Sequence, residues 1–360
     1  MSEVLAQVRG GVGFITLNRP KALNALSLTM IRDLMATVLT WHDDTAVQAV
    51  AIRGQSKDSP FGAFCVGGDI RFFHQAALAG SPELEDFFTE EYTLNHLIHN
   101  DSKPWIAFMD GFVMGGGMGI AQGAKLRIAT ERTRIAMPET TIGLFPDVGG
   151  GYFLSRCPGH VGEYLALTGR VIGGEDAVAV GLADGVVESA TLPSLWDELA
   201  AHGVESLIAL RRQFATTSIA VSASLVRAKG QIDHFFALES IPAIVSALEA
   251  DASSWAAETA ALLRQRSPLM LHVTLEQIRR GRAMSLADDL RMERGLMRHC
   301  FALRPGVAGE TVEGIRALAV DKDQRPKWNP ARIEDVTPEM VAPFFESPWP
   351  AHAHPLRHLS

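Results

Sequence analysis

Apolar residues in the first half of the chain come in short runs, each closed by a glycine, a proline or a charge. Residues 3–17, EVLAQVRGGVGFITL, place two such runs around a GGVG turn and predict a hairpin. Leu28 to Trp41 repeats its apolar positions at helical spacing, so a helix follows. Ala46 to Ile52, Pro104 to Met109 and Lys125 to Ala129 predict strands, with helices between them. These runs show little polar alternation, the pattern of a sheet covered on both faces in an α/β architecture.

After about residue 200 the texture changes. Ala/Leu/Arg-rich helical patterns such as SSWAAETAALLRQ and LADDLRMERGLMRHCF replace the strand-like runs. The expected organisation is a core over residues 1–200 that carries the active site, a helical region over 201–345 and a tail over 346–360. The tail, rich in Pro and His, reads as a surface-wrapping segment, with its histidines solvated rather than binding metal. His352, His354 and His358 have no acidic or Cys companions there, so a metal site is not expected.

Composition narrows the function classes. With 47% hydrophobic and 21% charged residues, the 360-residue chain has the make-up of a folded globular protein. The net charge of −8 is spread out and no basic block appears, which argues against a nucleic-acid partner. The uncharged run Gly111 to Ala124 is shorter than the roughly 20 residues that span a bilayer, and no signal peptide is readable, so no membrane partner is expected. Cys65, Cys157 and Cys300 stand far apart without a CxxC pair, consistent with a reducing, cytoplasmic setting.

Four stretches could carry chemistry. Gly67 and Gly68 of the GGDI stretch follow an apolar run and allow close backbone approach; a plain turn is the alternative. GFVMGGGMGIAQGAK, residues 111–125, sets three glycines between a predicted strand and a predicted helix. Unpaired N–H groups there suit an anion or oxyanion, although close packing of small residues explains the same pattern. Neither GxxxxGK[ST] nor GxGxxG is satisfied, so a nucleotide-phosphate loop is excluded.

The third stretch, MPETTIGLFPDVGGGYF, holds Glu139 and Asp147 among apolar residues, each just after a proline. They read either as helix caps or as acids whose pKa burial raises into a catalytic range. The fourth, FFTEEYTLNHLIHN, predicts a helix with Leu84, Phe87, Phe88, Leu94 and Ile98 on one side. Glu91 falls in the middle of that stripe, where a carboxylate needs either a structural partner or a cleft. No GxSxG elbow exists, and Cys65 reads as a small buried hydrophobe rather than a nucleophile.

LNRPKALNALS (17–27), FCVGGDIR (64–71), DGFVMGGGMGIA (110–121) and MPETTIGLFPDVGGGYFLSR (137–156), in this order and spacing, resemble the crotonase, or enoyl-CoA hydratase/isomerase, superfamily. EEYTLN, FPDVGGGYFL and VDKDQRPKWNP (320–330) resemble its 3-hydroxyisobutyryl-CoA hydrolase branch. The resemblance covers nearly the whole chain. It implies a spiral of ββα repeats, and a thioester carbonyl polarised by the N–H groups of Gly68 and Gly116.

By the same resemblance Glu139, Asp147 and Glu91 line the substrate site. Hydratases of the superfamily use a second glutamate where this chain has Gly119, a departure that argues against hydration. The implied reaction is hydrolysis of a short 3-hydroxyacyl-CoA. Glu139 would act as nucleophile or general base, and Asp147 would bind the 3-hydroxyl or assist the leaving thiolate. Coenzyme A enters as part of the acyl-CoA substrate, and no metal or other cofactor is implied. Homo-oligomers are common in the superfamily and compatible with this chain. An enoyl-CoA hydratase/isomerase and a non-catalytic acyl-CoA-binding protein are the competing readings.

Overall fold

Gly10 and Gly11 both adopt positive φ, 53° and 76°, which turns the chain tightly enough to pair β1 (Val4–Arg9) with β2 (Val12–Leu17) antiparallel. The computed structural model describes residues 2–216 and 223–360. Residues 217–222, within the predicted helical region, lie outside the described residues. Two compact units interleave along the chain. Unit 1 comprises residues 1–68, 93–136 and 171–227; unit 2 comprises 69–92, 137–170 and 228–360.

Unit 1 is built on a sheet. β2 pairs in parallel with β3 (Ala49–Gly54), β3 with β4 (Trp105–Met109), β4 with β6 (Leu126–Thr130), and β6 with β8 (Gly185–Val187). A small second sheet pairs β5 (Phe112–Met114) in parallel with β7 (Arg134–Ala136). β2 and β4 are buried at every position, which is why their sequences show no alternation. The predicted run at Ala46 to Ile52 is a strand that begins three residues later, at Ala49. β5 and β7 are three residues each, too short for an apolar period to register in sequence.

The helix α1 (Leu28–His42) starts where Ser27 accepts a hydrogen bond from Met30 N–H, and it buries Met30, Ile31, Leu34, Val38 and Trp41. One face of the large sheet is closed by aromatic packing: Trp196 lies 4.6 Å from Phe14 and 5.2 Å from Phe108, ring centre to ring centre. Full burial of each such side chain stabilises by about 1.5–3 kcal/mol.

Unit 2 is helical. α2 (Ile70–Ala79) is capped by Asp69, whose carboxylate accepts from Arg71 and Phe72 N–H. Phe73 of α2 packs 4.8 Å from both Phe87 and Phe88 of α3 (Glu83–Asn100). Beyond residue 228 the long helices are Pro268–Gly281 and Leu286–Ala302, each capped by a serine, Ser267 and Ser285.

The C-terminal segment lies along the surface of unit 2, most of its residues exposed or half-buried. His354, Leu356 and Leu359 are buried, and Arg291 donates to the carbonyls of Leu356 and Leu359. An arginine that satisfies two tail carbonyls, together with two buried leucines, holds the segment there. No group of His, Cys, Asp and Glu suited to a metal ion occurs among the described residues.

Candidate active site

The two glycine stretches, up to Gly68 and around Gly116, lie in unit 1. The residues ahead of Gly68 run alongside β5: Cys65 N–H donates to Phe112 O at 2.9 Å, and Met114 N–H donates to Cys65 O at 2.9 Å. Gly115, at φ 48° and ψ −123°, turns the chain from β5 into α4 (Gly116–Gln122), a conformation open to glycine. The two segments meet closely. A Cβ added at Gly67 would lie 3.3 Å from Gly116 N, and one at Gly117 would lie 2.5 Å from Cys65 O.

Gly116 opens a helix, so its N–H has no partner in the helical ladder. The structure therefore joins the two sequence-predicted glycine stretches, and close packing of small residues is what brings them together. Asp69, by contrast, is accounted for as the cap of α2.

The candidate acids lie in unit 2. Glu139 is the first residue of a short 3-10 turn, Glu139–Ile142, and makes no capping bond; Asp147 precedes the short helix Gly150–Leu154 and does not cap it either. The capping explanation thus falls for both. Glu91, Glu139 and Asp147 are all buried, and Glu91 Oε1 and Glu139 Oε2 have no hydrogen-bond partner. Buried polar atoms are nearly always satisfied, so two orphan carboxylate oxygens point to a place where a ligand or water completes them.

Burial pushes all three acids up. For Glu91 the next causes are the charges of Asp147 and Glu139; for Glu139, that of Asp147. Asp147 is raised to about 6 by burial, an effect opposed by the hydrogen bond it receives from Tyr92. Tyr92 donates its hydroxyl to Asp147 Oδ2 at 2.8 Å. Sequence reasoning missed Tyr92. The signal was present, because it neighbours Glu91 on a helix already marked as apolar.

A second pair of buried acids also escaped the sequence reading. Asp289 and Glu293, on the Leu286–Ala302 helix, accept backbone N–H groups from the glycine run that follows Asp147. In sequence they look like ordinary helical charges. Their distance along the chain from Asp147 hides the contact.

The mainly parallel sheet of unit 1, the helical unit 2, and the glycine and acid motifs each carries are those of a mixed α/β acyl-CoA enzyme. The chain belongs to the enoyl-CoA hydratase/isomerase family, whose sequence profile it matches over residues 12–345. It is 40% identical over 351 residues to the 3-hydroxyisobutyryl-CoA hydrolase, mitochondrial, of Gallus gallus, covering 96% of this chain and 89% of that protein. The Homo sapiens protein of the same name is 38% identical over 351 residues, with 96% and 89% coverage. Among solved structures, a carnitinyl-CoA dehydratase from Mycobacterium thermoresistibile superposes with TM-score 0.87 at 36% identity, covering 96% of this chain and 97% of that one. An enoyl-CoA hydratase from Rhodobacter sphaeroides gives TM-score 0.85 at 36% identity, covering 96% and 98%. The fold is therefore the mixed α/β crotonase-type fold that the motifs implied.

Proposed function

We propose that this protein hydrolyses the thioester of a short 3-hydroxyacyl-CoA, with 3-hydroxyisobutyryl-CoA as the leading substrate, releasing 3-hydroxyisobutyrate and coenzyme A in valine breakdown. The observation that carries this reading is the buried acid set in which Glu139 keeps an unpartnered oxygen and Asp147 is held by Tyr92. The hydrolase relatives at about 40% identity over nearly the whole chain support it. The proposed chemistry asks for no metal or redox cofactor.

In the proposed reaction the thioester oxygen accepts from Gly68 and Gly116 N–H, each such donor contributing about 3 kcal/mol to the transition state. Glu139 acts in one of two ways. As nucleophile, its carboxylate oxygen bonds to the acyl carbon, the C–S bond breaks, and water then cleaves the mixed anhydride. As general base, it takes a proton from the water that attacks the same carbon. In either route the thiolate leaves and is protonated. Asp147 binds the 3-hydroxyl or assists that proton transfer, and Glu91 completes the substrate pocket.

Hydration of an enoyl-CoA is the second reading, favoured by the names of the two solved structures. Against it, position 119, which carries the second acid in hydratases, is a buried glycine here. Thiol release from a panel of acyl-CoA esters, with and without a 3-hydroxyl, separates the two. Release from the 3-hydroxy esters, lost in Glu139→Gln, is the expected result; hydration of crotonyl-CoA without thiol release overturns the proposal. Label found in the Glu139 carboxylate after single turnover in heavy-oxygen water identifies the anhydride route, because it enters there only when water attacks the Glu139 side of the anhydride.

Three free, buried cysteines support a reducing compartment, the cytoplasm in our reading, while the named relatives are mitochondrial. Among the described residues no helix is long and apolar enough to cross a membrane.

A further inference from the structure

One carboxylate grips the loop beside Asp147 from two directions. Glu293 Oε2 accepts from Gly149 N–H at 2.8 Å, and Glu293 Oε1 accepts from Gly151 N–H at 2.9 Å. Gln277 Nε2 donates to the same Oε1 at 3.0 Å and to Pro146 O at 2.6 Å. Asp289, one helical turn before Glu293, accepts from Tyr152 N–H at 2.9 Å. The backbone is thus fixed on both sides of Asp147, at Pro146 before it and at Gly149 to Tyr152 after it.

The backbone so held is strained. Val148 sits at φ 57° and Gly149 at φ 90°. A β-branched residue in the left-handed region persists only where its surroundings over-determine it. Glu293, Gln277 and Asp289 are all fully buried. An apolar side chain of similar size would fill this space without the desolvation that a carboxylate suffers there. Packing alone therefore gives no reason for an acid at position 293.

Geometry does give one. Gly149 and Gly151 N–H meet different oxygens of Glu293, and an amide at this position would set an NH2 donor against one of them. Burial raises both Asp289 and Glu293 above the ordinary carboxylate range, and the charge of Asp289 raises Glu293 further.

We propose that Glu293 is a positioning residue for Asp147: it bridges the Gly149 and Gly151 amides and so holds the strained Pro146–Gly151 backbone in the form that presents the Asp147 carboxylate to Tyr92 and to substrate. Gln277 is its partner in this task. The proposal rests on the reading of Asp147 as a substrate-facing acid, but the state of the loop is measurable without turnover.

The test compares the full-length parent with Glu293→Gln and Gln277→Met, by amide hydrogen exchange over residues 147–153 and by thiol release from 3-hydroxyisobutyryl-CoA. In Glu293→Gln we expect exchange across this segment to accelerate roughly tenfold or more. We expect kcat to fall by about 10-fold to 100-fold with KM within about twofold of the parent, since misplaced catalytic groups cost rate before affinity. Gln277→Met should show the same pattern at smaller amplitude. Unchanged exchange in Glu293→Gln overturns the clamp whatever the activity. Faster exchange with parental kcat, or a rise in KM alone, overturns the positioning role. If Glu293→Gln does not fold, Gln277→Met decides by the same criteria. A parent that releases no thiol sinks the proposed function separately, and the exchange comparison still decides the clamp.

Discussion

Units 1 and 2 carry candidate groups of different kinds. In unit 1 the proposed donors are backbone N–H groups at Gly68 and Gly116, carried on segments that meet because glycine lets Cys65 and Gly117 approach without a side chain between them. In unit 2 the candidate groups are carboxylates, three of them buried together, whose protonation is set by desolvation and by one another. A backbone donor has no pKa to tune and depends only on where the chain runs. A buried acid can be in place and still be in the wrong protonation state. The two halves should therefore fail differently: mutations in the first act through geometry, and mutations in the second act through charge.

The largest expected effect tests the acidic half. Glu139→Gln keeps the shape but removes the base or nucleophile, and kcat for thiol release should fall by about 10²–10⁴-fold with the fold intact. Near-parental turnover would remove Glu139 from the chemistry and with it the contrast drawn above. Gly117→Ala tests the other half. Its Cβ would meet Cys65 O at 2.5 Å, so the two segments must part. Turnover should drop by about 10²–10³-fold, as on loss of one oxyanion donor, with a pH–rate profile of unchanged midpoint. A shifted midpoint would show that the halves do not separate into geometry and charge.

Stability against pH is the next effect in size. Burial raises Asp289 to about 7 and Asp147 to about 6, both above the ordinary aspartate value of about 3.9. Between those values the folded protein binds more protons than the unfolded chain. The stabilisation is therefore complete below about pH 4 and is lost as pH rises through about 6 to 7, at about 1.4 kcal/mol per unit of separation. Urea midpoints should fall between about pH 4 and pH 7, and Asp147→Asn should remove the part lost between about pH 4 and 6. A rise over that interval would contradict the raised values.

Tyr92→Phe should have the smallest effect. Tyr92 stabilises ionised Asp147 through its hydroxyl, so its loss should move the rate-profile midpoint assigned to Asp147 upward by about one pH unit or less. Turnover at the plateau should change only a few-fold. A downward shift would show that the hydroxyl serves the neutral acid instead.

Much of this was legible in sequence, for reasons specific to each element. The opening hairpin, α1, β4 and β6 were visible because apolar period and turn glycines are local signals. Glu91 stood out because a charge in the middle of the stripe Leu84, Phe87, Phe88, Leu94 and Ile98 contradicts its surroundings, and all five of those residues are buried. What anchors the tail was not legible, because Leu356 and Leu359 are held by Arg291, far away in sequence.

The sequence by itself determined the elements, the two glycine stretches and the identity of the acids Glu91, Glu139 and Asp147, because spacing and residue type are properties of a linear chain. Only the tertiary structure decided that Glu139 and Asp147 are not caps, that Tyr92 holds Asp147, and that Glu293 holds the loop after it. Those are questions of which donor meets which acceptor across more than fifty residues of chain, as the separations of 55 for Tyr92 with Asp147 and 144 for Gly149 with Glu293 show. Hydrogen bonding and desolvation act through space, and no local pattern encodes the partner.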